Sequence, residues 1–162
     1  MENNMDLITH LPELAHWQSR EVKYIAGPWA QIRGEIPEFE LSDFTSGVDE
    51  PPNPFLRTVC RLPNRSTERP IPVGIVSNKY SLVQHREIGD RCVAGMKLSG
   101  IDTVDIKSEL GLSELSEWMN LRIYFPEEYS FMANDGHNLD LRLECFNSVE
   151  GSSRLKILLG WF

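Results

Sequence analysis

The residue types able to do chemistry are present, but their spacing withholds it. The four histidines, His10, His16, His85 and His137, form neither H-x-x-x-H nor H-E-x-x-H, the spacings that put two imidazoles on one helical face toward a zinc ion. Asp135-Gly136-His137 offers two ligands, but Asp-Gly is also what a tight turn requires. Cys60, Cys92 and Cys145 contain no C-x-x-C pair, so neither a zinc knuckle nor a disulfide framework is indicated. Cys145 with His137 could be imagined as nucleophile and base. Cys145, however, alternates onto the apolar side of a strand-like run, which suits a buried, inert thiol. The adjacent acids Asp49-Glu50 and Glu127-Glu128 lie beside prolines, as solvated loop charge does, with nothing to suggest a dry cleft. Nucleophile-elbow, Walker-type and dinucleotide-binding glycine motifs are missing. The expectation is a protein without catalytic, metal or cofactor residues, and so not an enzyme.

Basic residues suggest a different chemistry. The net charge is −8, and residues 1–50 hold ten acids against three bases, whereas residues 51–83 hold five bases against Glu68. The acidic total argues against non-specific duplex binding. The basic stretch carries Arg57, Arg61, Arg65 and Arg69, whose four-residue spacing would be helical except that Pro63 and Pro70 interrupt it. Further along, Arg122, Tyr124, Arg142, Arg154 and Lys156 fall on the polar side of alternating segments, with Phe146 beside them. Cations mixed with aromatics on a sheet face can track a single strand of nucleic acid. The competing reading pairs these cations across strands with Asp140 and Glu144.

The elements that position these groups follow from periodicity. Residues 5–18 read as a short helix, with Leu7, Ile8, Leu11, Leu14 and Ala15 on one side and Pro12 interrupting. Residues 26–54 are dominated by Gly27-Pro28, Gly34, Pro37, Ser46-Gly47, Pro51-Pro52 and Pro54, and read as an irregular arm. Strand-like runs follow at 55–62, 73–77 and 79–83. Residues 84–98 are the strongest helix: Ile88, Cys92, Val93 and Met96 share one face, charged residues the other, and Gly100 fits a C-cap. The period then changes to two, at 101–106, 118–125, 139–145 and 155–161, with Asn134-Asp135-Gly136 and Glu150-Gly151-Ser152-Ser153 as turns. The fold class expected is α+β: an antiparallel β-meander packed on one main helix, with an N-terminal helix and irregular arm over 1–54 and a core domain over 55–162. Ile88, Cys92 and Met96 should cover Leu121, Ile123, Leu141, Leu143 and Ile157.

A family resemblance adds to this reading. Val76-Ser77-Asn78-Lys79-Tyr80-Ser81-Leu82-Val83-Gln84-His85-Arg86-Glu87-Ile88 resembles the stretch before the helix in the phage/plasmid-like domain of unknown function. Leu143-Glu144-Cys145-Phe146-Asn147-Ser148, Gly151-Ser152-Ser153 and Leu159-Gly160-Trp161-Phe162 resemble its Asn-Ser-x-x-Gly-Ser hairpin. The resemblance covers roughly residues 73–162, the C-terminal part of the family pattern being absent. It implies a mobile-element origin and supplies no catalytic residues. The function expected is a non-enzymatic phage or plasmid protein that binds single-stranded nucleic acid in recombination or replication, through Arg57, Arg61, Arg65, Arg69, Arg122, Tyr124, Arg142 and Lys156. The rival is an acidic, DNA-mimicking inhibitor that binds a protein of a host defence system, as anti-CRISPR proteins do.

Location and assembly complete the reading. No run of 18 apolar residues and no basic, apolar leader is present, so a cytoplasmic protein without a membrane partner is expected. The apolar segment Leu158-Leu159-Gly160-Trp161-Phe162 is expected to lie inside the sheet or at a contact between copies in a homo-oligomer.

Overall fold

The computed structural model describes residues 8–10, 22–63 and 68–162. It is a mostly-sheet α+β fold of antiparallel sheets with two α-helices. Among the described residues the strands are β1 (Ile8–His10), β2 (Val22–Pro28), β3 (Phe39–Asp43), β4 (Leu56–Arg61), β5 (Ile71–Ser77), β6 (Lys107–Ser113), β7 (Trp118–Tyr124), β8 (Phe131–Met132), β9 (Asn138–Leu139), β10 (Leu141–Ser148) and β11 (Lys156–Trp161). The helices are α1 (Trp29–Ile32) and α2 (His85–Leu98).

Six strands form the main sheet in the order β1-β2-β6-β7-β10-β11. The ladder aligns Ile25 with Leu110, Leu110 with Leu121, Leu121 with Cys145 and Cys145 with Ile157. Side chains on one sheet face recur every second residue, so this row and the neighbouring Ile123 and Leu143 share a face. Helix α2 covers that face: Ile88, Met96, Cys92 and Val93 join Ile25, Leu110, Leu121, Ile123 and Cys145 in one core. The helix ends as its sequence dictates. Gly100 takes φ +83°, and Ile101 N–H closes back on the Met96 carbonyl at 3.1 Å, a glycine C-cap.

Ile25, Trp29, Ile32 and Ile36 recur at intervals of three and four and are all buried in the same core. Pro28 closes the β2 ladder opposite Lys107 and then caps α1, where its fixed φ and missing N–H cost nothing. Trp29 packs against Gly89 of α2 and its indole N–H donates to Asp90 at 3.3 Å. A Cβ added at Gly89 would lie 2.1 Å from the indole Cη2, so only glycine admits that approach.

A second sheet, β3-β4-β5, carries its own smaller core of Phe39, Val59, Val76 and Val149. Val149 comes from the turn between β10 and β11, so this hairpin of the main sheet plugs the smaller one. Gly74 accepts the turn's backbone, since a Cβ there would lie 2.4 Å from the Cβ of Glu150.

The meander expected over 118–161 is present as β7-β10-β11. Other expectations need correction. Ile8–His10 is a strand paired with β2, and the rest of the helix expected over 5–18 lies outside the described residues. Within the irregular arm expected over 26–54, residues 26–43 instead hold the end of β2, α1 and β3. Residues 101–106 form no strand; the Asp102 carboxylate turns back to accept from Val104 N–H at 3.0 Å, and β6 starts at Lys107. Residues 79–83 form no strand either, because Tyr80 N–H closes a turn on the Ser77 carbonyl. Ile157 is 48% exposed and Leu141 stands outside the main core, because β11 reaches beyond the cover of α2. Among the described residues β11 pairs with β10 alone, so it stands at the edge of the sheet and not inside it.

Candidate functional site

The sheet face opposite α2 collects four of the eight sequence-selected residues. Arg142 pairs with Tyr124, Glu144 with Arg122 and Phe146 with Lys156 across neighbouring strands. The face is polar because β7 and β10 alternate, sending Leu121, Ile123 and Cys145 to the core and their neighbours outward. Its centre is Glu144, only 7% exposed. The carboxylate accepts from Arg122 Nε at 3.0 Å and from Arg142 Nη2 at 3.3 Å, while Arg122 Nη1 reaches Glu109 at 3.4 Å. Burial alone would raise the Glu144 carboxyl, but the two guanidiniums outweigh it and hold the group below its ordinary range. Arg142 also lies over the rings of Tyr124 and Phe162, 5.8 and 4.1 Å from their centroids, and Lys107 sits 4.5 Å from the Tyr124 ring. Arg122 and Arg142 are thus already committed to Glu144, whereas Lys156 is exposed.

The other selected arginines are not brought to this face. Arg57 belongs to the smaller sheet and is spent on structure: it donates to the Ser42 and Leu41 carbonyls, both at 3.1 Å, and faces Asp43 at 3.6 Å. Arg61 ends β4 and is half-buried, Arg69 is exposed before β5, and Arg65 lies outside the described residues.

Residues 76–88 and 143–153 meet. His85, fully buried at the start of α2, donates from Nε2 to the Ser116 carbonyl at 3.0 Å and accepts at Nδ1 from the Asn147 amide at 2.9 Å. Asn147 also donates to the Val83 carbonyl at 3.1 Å, and the Tyr80 hydroxyl donates to the Ser148 carbonyl at 3.3 Å. Burial pushes the His85 imidazole down to about 4, against the opposing pull of the Ser116 and Glu117 carbonyls, so it is neutral and structural.

The exposed apolar surface is on β11. Ile157, Leu159 and Trp161 on one face and Leu158 on the other are 48%, 61%, 57% and 49% exposed. The neighbouring Leu155 and Phe162 are exposed as well. Among the described residues the strand's outer edge faces no other strand.

No protein-family model, curated protein or solved structure matches this chain.

Two further features bear on function. Among the described residues no cluster of three or more His, Cys, Asp or Glu could hold a metal ion, and no helix is long and apolar enough to cross a membrane. The sequence reading missed the His85–Asn147 junction and the contact of Cys92 with Cys145, each joining residues more than fifty positions apart. A buried polar residue opening an amphipathic helix was the available signal for the first; for the second, it was that both thiols lie on core-facing stripes.

Proposed function

We propose that this protein is a non-catalytic binding module that captures an extended segment of another polypeptide by strand addition to β11. The observation that supports this reading is an apolar edge strand, exposed on both faces, whose outer backbone groups pair with no other strand among the described residues. Sheet edges of this kind are usually short, charged or covered, because open ones template pairing. Added strands gain affinity from the main chain and specificity from alternate side-chain positions. The fitting segment carries apolar residues at alternate positions, with acidic ones toward the exposed Arg154 and Lys156. The resemblance of residues 73–162 to a phage and plasmid domain makes a host polypeptide the proposed target.

Single-stranded nucleic acid is the weaker reading. A strand docking on the outer face would have to displace Glu144 from Arg122 and Arg142, and breaking a half-buried pair leaves charge uncompensated.

The test compares host-extract capture by the wild type and by Leu159→Lys, a change at the most exposed leucine of the strand. The wild type should retain a polypeptide that shields the backbone amides of 156–161 from hydrogen exchange, and the variant should release it. Retention by the variant, or shielding elsewhere, overturns the reading. Salt-dependent oligonucleotide binding that Leu159→Lys leaves intact restores the nucleic-acid alternative.

A further inference from the structure

Two of the three cysteines meet inside the main core. Cys92 projects from the apolar stripe of α2 and Cys145 from the core side of β10, and their sulfurs lie 3.8 Å apart although 53 residues separate them in the chain. Cys145 is fully buried and Cys92 half-buried, so only one of the pair is open to a small oxidant. Cys60 is buried in the smaller sheet, with its sulfur 3.3 Å from the Ser42 hydroxyl.

We propose that Cys92 and Cys145 are a redox modification site, closing to a reversible disulfide that fastens α2 to β10 when the protein meets a hydroperoxide. The two sulfurs share a weak hydrogen bond, which holds the Cys92 thiol below its ordinary range despite burial. The same hydrogen bond, together with burial and the nearby charges, pushes Cys145 up. The thiolate is therefore favoured on the more accessible sulfur, where nucleophiles are found.

The chemistry balances in two steps. The Cys92 sulfur attacks one peroxide oxygen, the O–O bond breaks, and the departing oxygen takes up the proton Cys92 lost, leaving Cys92 as a sulfenic acid. Cys145 then attacks the Cys92 sulfur; the S–O bond breaks and the hydroxide leaves as water with the Cys145 proton. Two thiols are oxidised by two electrons and one hydroperoxide is reduced to an alcohol and water. Bonding shortens the sulfur separation to about 2.05 Å, which draws α2 toward the sheet. A dithiol reverses it through a mixed disulfide.

The experiment treats the native protein with hydrogen peroxide, blocks free thiols in acid, and maps the unreduced peptides by mass spectrometry. The expected result is one linked pair, Cys92 with Cys145, in monomeric protein, with two of the three thiols lost and both recovered with dithiothreitol. Cys60→Ser should leave the link intact and Cys92→Ser should abolish it. Oxidation in denaturant provides the contrast: there the shorter separation of Cys60 and Cys92 favours their pairing. Cys92 advancing to sulfinic acid with Cys145 still a thiol overturns the proposal. So does a native link that involves Cys60 or a second molecule.

Discussion

At the scale of single residues, His85 shows what burial does to a titratable group. Its imidazole is enclosed by the Ser116 carbonyl and the Asn147 amide, and a second ring proton would point at the Asn147 N–H that Nδ1 now accepts. The folded protein therefore resists protonation down to about pH 4, whereas the unfolded chain takes a proton near pH 6.5. A folded-state value below the unfolded one means that stability falls as pH drops from about 6.5 toward 4, then levels off. The loss from this group approaches about 3 kcal/mol. Urea unfolding of wild type and His85→Gln at intervals between pH 7 and 4.5 should show the steeper decline in the wild type. Equal slopes would show that His85 is not the group responsible. The sequence places His85 at the start of a helix, but spacing along the chain carries no trace of a partner 62 residues away. Three-dimensional neighbours of buried polar groups are set by register, and register needs the whole sheet.

At the scale of elements, legibility followed the strength of the local pattern. Helix α2 announces its apolar face and its Gly100 cap within one segment, and β7, β10 and β11 each alternate strictly enough to be read alone. Residues 26–54 read as turns in the sequence because glycine and proline recur there, beginning with Gly27-Pro28. The proline actually serves a ladder end and a helix start in succession. The expectation for 101–106 failed for the opposite reason: an apolar run with strand character is overridden by an Asp102 side-chain turn. The corrected cover of α2 yields a paired prediction. Leu121 is fully buried beneath the helix, so Leu121→Ala should cost about 2–5 kcal/mol in chemical denaturation. Leu141, half-buried toward the uncovered strand, should cost less than half as much as Alanine. The reverse order would place α2 over the wrong end of the sheet.

At the scale of the molecule, one turn of the main sheet enters the core of the smaller one. Val149, fully buried, belongs by sequence to the β10–β11 hairpin and by packing to the β3-β4-β5 core. Val149→Ala should cost about 2 kcal/mol, and the loss should not be uniform. Hydrogen exchange should quicken in β4 more than in β7, because the smaller core has fewer residues to spare. Uniform quickening would mean that the two sheets unfold only together. The joint is not legible in the sequence, where Val149 is one apolar residue amid Asn147-Ser148 and Glu150-Gly151. The candidate surfaces divide in the same way. Alternation predicts which side chains share the outer face, but whether Arg122 and Arg142 are free or neutralised depends on the cross-strand register that sets Glu144 against them.

Neutralisation of that face by one shared carboxylate has a consequence for how such a protein diverges. Glu144 answers two guanidiniums at once, so the pairing of both rests on one codon. A single-base change to a glutamine or lysine codon leaves Arg122 with Glu109 and Arg142 over the rings of Tyr124 and Phe162, beside Lys107 and Lys156. The row that packs on α2 points the other way, so the change falls outside the main core and its cost is the half-buried Arg142 left without its carboxylate. Among descendants of this chain, a sheet face with closed charge and one able to hold a polyanion are therefore adjacent in mutational distance.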